Sequence, residues 1–183
     1  MGTLFVEVYN RFLGKITDDM YMELTPQDTV RDLRNLLIEA IPCFEFPRKD
    51  LSDYTVSTTA KSASEIEEAD FVLGENEEGE KIIESSSFAA DLTSEEINIL
   101  AILMMINWTQ RQITSIENTR MKYSGSDFKF TSQANHLSKL LTLLAETQRQ
   151  SHHMQRLYKR RRHSETGAYE SNWSVLRDVS ALD

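Results

Sequence analysis

The stretch that most constrains the fold of this chain runs from Leu92 to Tyr123. Its start carries a capping pattern, because Thr93 can cap a helix and Glu96, three residues later, can reach back to it. Between Ile97 and Trp108 apolar side chains cover every face of the predicted helix, interrupted only by two asparagines. A single neighbouring element cannot cover such a helix, so this half must be surrounded.

The apolar run is about twelve residues long, whereas a membrane-spanning helix needs about twenty. We therefore expect protein to cover it, either other elements of this chain or a second subunit, and we predict no membrane partner. Residues 97–108 should be nearly all buried. The polar second half, residues 109–120, should be buried on one side only.

Three more helices are predicted from the spacing of apolar residues. Residues 3–16 form one, and residues 25–42 form another that begins with a capping threonine followed by proline. After the central helix, Gly125 ends the pattern and a long helix follows. Because the connection is short, the two long helices should pack as an antiparallel hairpin. The predicted core-facing positions of the last helix are Ala134, Leu137, Leu140, Leu141, Leu144 and Gln148, with Leu143 widening the stripe.

Beyond Gln148 this stripe fades, while helix-favouring residues continue to Arg162. The end of the last helix is therefore predicted to project past its own core.

Residues 44–90 contain glycine, proline, serine and threonine clusters and no helical stripe. Asp53 to Thr59 suits a strand, and Ala69 to Leu73 with Lys81 to Ser85 suits a β-hairpin around an acidic loop. Such a hairpin is marginal alone, so we predict an inserted arm, at about residues 45–90, that gains a third strand or meets another subunit. A solvated, partly disordered acidic loop is the alternative. The arm residues predicted to contact another subunit are Phe71, Val72, Leu73, Ile82 and Ile83.

Charge is distributed unevenly in this chain of 183 residues, whose formal net charge is −9. Residues 61–96 hold twelve acidic and two basic residues, whereas residues 149–163 hold six basic and no acidic ones. The overall acidity argues against nucleic-acid binding by the whole surface. The asymmetry indicates oriented contacts between oppositely charged surfaces.

The basic end of the last helix is the strongest electrostatic signal. It allows two interpretations, namely phosphate contacts with nucleic acid or a helix C-terminus that meets a negative protein surface. The protein partner is favoured, because no aromatic residues for base stacking are interleaved along the cluster. The predicted partner-binding residues of this end are Arg156, Lys159, Arg160, Arg161 and Arg162.

Residues 164–183 are predicted to form a C-terminal docking tail that follows a bundle domain of residues 1–163. A disordered tail rarely needs so many large apolar side chains, so docking into a groove is favoured. The tail residues predicted to bind a partner are Tyr169, Trp173, Val175 and Leu176.

Motifs that would indicate catalysis, a cofactor or a metal are not found. The sequence contains no phosphate-binding loop, no dinucleotide fingerprint and no nucleophile elbow. The four histidines lack the spacing of a metal site, and the acidic segment lacks the order of an EF-hand loop. We therefore assign no catalytic, cofactor-binding or metal-binding residue and expect no enzyme. The lone Cys43 is predicted to be a buried or half-buried thiol in a reducing cytoplasm.

The order of these features resembles the head-to-tail connector proteins of tailed bacteriophages, also called adaptor or head completion proteins. The resemblance lies in an N-terminal Val-Tyr-Asn-Arg-Phe-Leu-Gly-Lys-Ile helix, the Leu-Thr-Ser-Glu-Glu-Ile-Asn-Ile-Leu-Ala-Ile-Leu-Met helix, the Asp-Phe-Lys-Phe-Thr-Ser-Gln-Ala-Asn-His-Leu turn and the basic helix end.

The resemblance implies a mainly α fold, namely a small helical bundle built on the long helix hairpin, with the inserted β-hairpin arm and the extended tail. It also implies a non-enzymatic ring of twelve copies at the head–tail interface of a virion, assembled in the host cytoplasm. The tail would dock on the portal protein, another face would meet a neck or tail protein, and DNA would pass through the channel without sequence-specific binding. The alternative from another class is a helical adaptor or regulatory protein that binds one partner, possibly DNA, through its basic helix end.

Overall fold

The computed structural model describes residues 2–16, 20–62, 64–67, 70–122, 131–163 and 169–171. Long helices dominate, in agreement with the sequence prediction, but small antiparallel sheets make the fold mixed. The helices are α1 (Phe5–Leu13), α2 (Met20–Glu23), α3 (Pro26–Ala40), α4 (Ser94–Lys122) and α5 (Thr131–Arg160). The strands are β1 (Tyr54–Thr55), β2 (Thr58–Lys61), β3 (Val72–Glu75), β4 (Lys81–Glu84), β5 (Ser87–Phe88), β6 (Arg161–His163) and β7 (Tyr169–Ser171).

Helices α1 and α3 form where the sequence predicts helices. Five residues of α1 are buried against α3 and α4, as its apolar face predicts. At the start of α3 the Thr25 hydroxyl oxygen accepts a hydrogen bond from the Asp28 backbone N–H at 3.2 Å. Pro26 occupies the first turn, where its missing N–H costs nothing. The helices predicted within residues 3–16 and 25–42 are thus confirmed.

Helix α4 begins at the predicted capping box. The Thr93 backbone N–H donates to the Glu96 carboxylate at 2.7 Å, and the Glu96 N–H donates to the Thr93 hydroxyl at 3.3 Å. Residues 97–104 are buried apart from half-buried Asn98, but residues 105–108 are only half-buried. The prediction of near-complete burial is therefore correct for the first eight positions and wrong for the last four.

The predicted β-hairpin is confirmed. Strand β4 pairs antiparallel with β3 on one side and with β2 on the other. The turn of the hairpin needs a left-handed residue, and Gly79 supplies it with φ +82°. The strand predicted at Asp53 to Thr59 is split, since β1 pairs with β5 and only β2 joins the hairpin.

This sheet packs on the chain's own helices. The Phe71 ring meets the Tyr9 ring edge-on, with centroids 6.3 Å apart, and Leu73 packs at the edge of the core. On β4, the carboxylate of Glu84 forms a buried ion pair with Arg34 of α3. Val72 and Ile82 are half-buried, and Ile83 is 3% exposed. Ile83 therefore leaves almost no exposed surface that another subunit could contact, because the chain buries that side chain itself.

The packing of α5 is the main correction to the sequence prediction. Near its end Thr147, Ser151, Gln155 and Tyr158 are buried, so this part does not project past the core. In the first half Leu140 is buried, Leu137 and Leu144 are half-buried, and Leu141 is 48% exposed. The helix also ends at Arg160, two residues before the predicted end, because β6 begins there.

Cys43 is exposed, so the prediction of a buried thiol is wrong. It ends a 3₁₀ turn, Ile41–Cys43, after which Phe44 turns into the core. The thiol donates to the backbone oxygen of Glu39, with Sγ 3.6 Å away. Among the described helices, none is both long enough and apolar enough to cross a membrane.

Truncating Ile83 should destabilise the isolated chain. Ile83→Ala removes a buried side chain and leaves a cavity, so the free energy of unfolding should fall by about 2–4 kcal/mol. Val56→Ala is the control, because Val56 is 47% exposed, and it should change stability by less than about 0.5 kcal/mol. Urea denaturation measures both, and equal effects of the two variants would contradict the burial of Ile83.

Candidate partner-binding site

The basic residues predicted to bind a partner lie together at the C-terminal end of α5. Arg156, Lys159, Arg160 and Arg161 are exposed, and Arg162 continues into β6. Arg48 and Lys49, from the loop after α3, add two more basic residues beside this end, since Arg48 contacts Tyr158 directly. The site is therefore built from two segments of the chain.

A buried tyrosine fixes this end to the start of α4. Tyr158 is fully buried, and its hydroxyl donates a hydrogen bond to the carboxylate of Glu96, which is 2% exposed. Glu96 also caps α4 by accepting from the backbone and the hydroxyl of Thr93, at 2.7 and 2.9 Å. A buried carboxylate is costly unless hydrogen bonds satisfy it, and here one carboxylate receives three. The cap of α4 and the end of α5 thus share one acceptor group.

The loop at residues 45–48 packs against the same end of α5. The Arg48 guanidinium lies 4.2 Å from the centre of the Tyr158 ring and donates to the Tyr158 backbone oxygen at 2.6 Å and to that of Arg161. The Glu45 backbone N–H donates to the buried Gln155 side chain at 2.7 Å. These bonds satisfy backbone groups at the end of α5, which would otherwise lack partners.

Two of the basic side chains already have partners within the chain. Arg161 pairs with Glu95 at 2.9 Å, and the Lys159 ammonium lies 3.9 Å from the centre of the Phe46 ring. Within the described residues, neither Arg156 nor Arg160 makes an ion pair. Arg156 and Arg160 are therefore the side chains of this end best placed to meet an acidic partner.

Of the tail, the structure describes only residues 169–171. Strand β7 pairs antiparallel with β6, with His163 opposite Tyr169 and Arg161 opposite Ser171. This pairing places residues 169–171 beside the basic end of α5. The predicted docking residues Trp173, Val175 and Leu176 lie outside the described residues.

An open cleft of about 580 Å³ lies between the end of α3 and the middle of α4. Arg111 crosses it and is held at 2.8 Å by both Asp32 and Glu39, so its charge is already matched. Amide and hydroxyl side chains, including Asn107 and Thr114, line the rest. No group of three or more His, Cys, Asp or Glu side chains in the described ranges could hold a metal ion.

The chain matches no family model, and comparisons with curated proteins and with solved structures found no match either. Sequence patterns identified the charges of the candidate site and the capping role of Glu96, but they missed Arg48, Gln155 and the burial of Tyr158. The two aromatic residues Phe44 and Phe46 were the sequence signal from which the packing of this loop on α5 could have been predicted.

Removing the Tyr158 hydroxyl should destabilise the protein. Tyr158→Phe takes one donor from the buried Glu96 carboxylate, so the free energy of unfolding should fall by about 1–3 kcal/mol at neutral pH. Tyr54→Phe is the control, because the Tyr54 hydroxyl makes no hydrogen bond within the described part of the chain. Denaturant titration of both variants measures the difference, and equal stabilities would contradict the shared role of Glu96.

The same tyrosine should make stability depend on alkaline pH. Burial, reinforced by the hydrogen bond to Glu96, raises the pKa of Tyr158 above its ordinary value of 10.0. Above pH 10 the unfolded chain therefore loses this proton while the folded chain keeps it, and the stability gained below pH 10 is lost as pH rises. Above pH 10 the free energy of unfolding should decline more steeply in the wild type than in Tyr158→Phe. Parallel curves of unfolding free energy against pH would contradict this prediction.

Proposed function

We propose that this chain is a structural subunit of a bacteriophage head–tail connector. In this proposal α4 and α5 form a long antiparallel hairpin, twelve copies form a ring, and the ring joins the portal protein to a neck or tail protein. DNA passes through the channel without sequence-specific contacts. The subunit performs no catalysis and uses no cofactor, and it acts at the head–tail interface of the virion after assembly in the host cytoplasm.

The observation that carries the proposal is the fixed basic end of α5. The Tyr158 side chain of this end bonds to Glu96, and Arg48 donates to its backbone oxygens, while Arg156 and Arg160 remain exposed. Strand β7 pairs with β6 beside this end. A rigid, charged end placed next to an apolar tail suits docking on a larger assembly, because little conformational freedom is lost there on binding. The resemblance of the sequence layout to connector proteins supports the same assignment.

Charge complementarity between copies supports a ring as well. The segment at residues 61–96 is strongly acidic, and the end of α5 is strongly basic. Glu95 of this segment already pairs with Arg161 within the chain, so contacts between copies would involve its other acidic residues. Such contacts are head-to-tail, and a rotation that closes gives a ring.

The second candidate is an adaptor or regulatory protein that binds one partner through the same basic end. The exposed Arg156, Arg160 and Arg48, together with half-buried Lys49, favour it, because this arrangement also suits DNA phosphates. Its binding to duplex DNA would weaken steeply as salt is added, whereas docking on a portal would require the protein partner.

The test reverses the charges of Arg156 and Arg160. Arg156→Glu with Arg160→Glu should abolish co-assembly with a portal protein from the same phage, because both side chains would then repel an acidic partner. Native mass spectrometry of the mixed proteins measures the assembly, and circular dichroism checks that the variant remains folded.

Arg149→Glu is the matched control, since Arg149 is exposed on the same helix about two turns before Arg156. It should leave co-assembly intact. Failure of the unmodified protein to join the portal would refute the connector assignment, and portal-independent, salt-sensitive binding to duplex DNA would support the second candidate instead.

A further inference from the structure

One face of α5 carries opposite charges on either side of an exposed leucine. Leu143 is 36% exposed, Lys139 lies four residues before it, and Glu146 lies three residues after it. Such spacing places the three side chains on one face of a helix. Asn135 and Gln150, both exposed, extend this face by about one turn at each end. We call these five residues the α5 stripe.

The described part of the chain leaves the α5 stripe exposed. Within the described residues, neither Lys139 nor Glu146 makes an ion pair, and they lie about 10 Å apart along the helix, too far to pair with each other. In the same part of the chain, the contacts of α5 with the loop at residues 45–48 all involve His152 or later residues. The stripe is thus an open surface with one charge of each sign.

We propose that the α5 stripe binds the same stripe of a second copy of this chain, antiparallel and around a two-fold axis beside Leu143. In that arrangement the two leucines meet at the axis, and Lys139 of each copy lies opposite Glu146 of the other. Asn135 of each copy then faces Gln150 of its partner, and the two amides can exchange hydrogen bonds. A parallel arrangement would place like charges side by side, so the charges select the antiparallel one.

Exposed apolar surface alone does not select this face. Leu141 is more exposed, at 48%, but it lies about 160° around the helix from Leu143. No pair of opposite charges flanks Leu141 at spacings that would match in a second copy. The self-complementary pattern of Lys139, Leu143 and Glu146 is what points to a second copy as the occupant.

This contact is independent of the connector assignment. It is isologous, so it closes on itself and gives a dimer, whereas a ring needs head-to-tail contacts. The α5 stripe also ends at Gln150, before the basic end begins at Arg156. Dimerisation of the free protein and docking of the basic end can therefore be measured separately.

The test is sedimentation velocity of the full chain at concentrations from about 10 to about 500 µM, a range that suits a short interface. The unmodified protein should show a reversible monomer–dimer equilibrium. Lys139→Glu or Glu146→Lys should each weaken the dimer about tenfold or more, because two attractive pairs become repulsive. The double variant Lys139→Glu with Glu146→Lys should restore the affinity to within about threefold.

A pair of leucine variants separates the two faces of the helix. Leu143→Gln should weaken the dimer about tenfold, whereas Leu141→Gln, the matched control, should change it by less than about twofold. A protein that remains monomeric throughout, a double charge variant that fails to restore the dimer, or a dimer lost in Leu141→Gln but kept in Leu143→Gln would each overturn the proposal.

Discussion

The buried carboxylate of Glu96 is the group on which the described structure most depends. It caps α4 through Thr93 and accepts the hydroxyl hydrogen bond of Tyr158, so it joins the first turn of one long helix to the last turns of the other. Arg48 then stacks on Tyr158 and holds the backbone where α5 gives way to β6. Because a buried carboxylate without donors is strongly unfavourable, these contacts should form or break together.

This anchoring divides the α4–α5 pair into two parts. Near Glu96 the helices are surrounded by α1, α3 and the loop at residues 45–48, and their side chains are buried. Farther away, α5 is covered mainly on one side, and Leu141 and Leu143 are exposed. The well-packed part presents the basic end to a partner, and the sparsely covered part carries the α5 stripe. The positions of both proposed contacts therefore depend on how far the core extends along α4 and α5.

Local signals in the sequence predicted the elements that depend on local interactions. Thr25 and Thr93 marked the starts of α3 and α4, and the glycine-containing acidic turn marked the β3–β4 hairpin. The burial at the end of α5 was not predictable in this way, because its buried face includes Ser151 and Gln155, which look like surface residues. Their burial depends on partners far away in the sequence, since Gln155 bonds to Glu45 and Tyr158 to Glu96, 110 and 62 residues away.

The candidate site, too, was only partly predictable from the sequence. The charges of Arg156 and Arg160 are visible in the sequence, but Arg48 joins them only through tertiary packing. Likewise, apolar spacing placed Leu141 in the core, although its side chain is 48% exposed. Periodicity predicts which face of a helix is apolar, and the position of the other elements decides how much of that face is buried.

Hydrogen exchange along α5 tests the central claim most directly. If Glu96 and Tyr158 anchor the end of this helix, the amides of residues 147–158 should exchange slowly, at rates that approach those of global unfolding, while residues 135–146 exchange faster. The opposite order, with residues 135–146 protected and residues 147–158 exchanging freely, would mean that the helix projects past its core and would contradict this account.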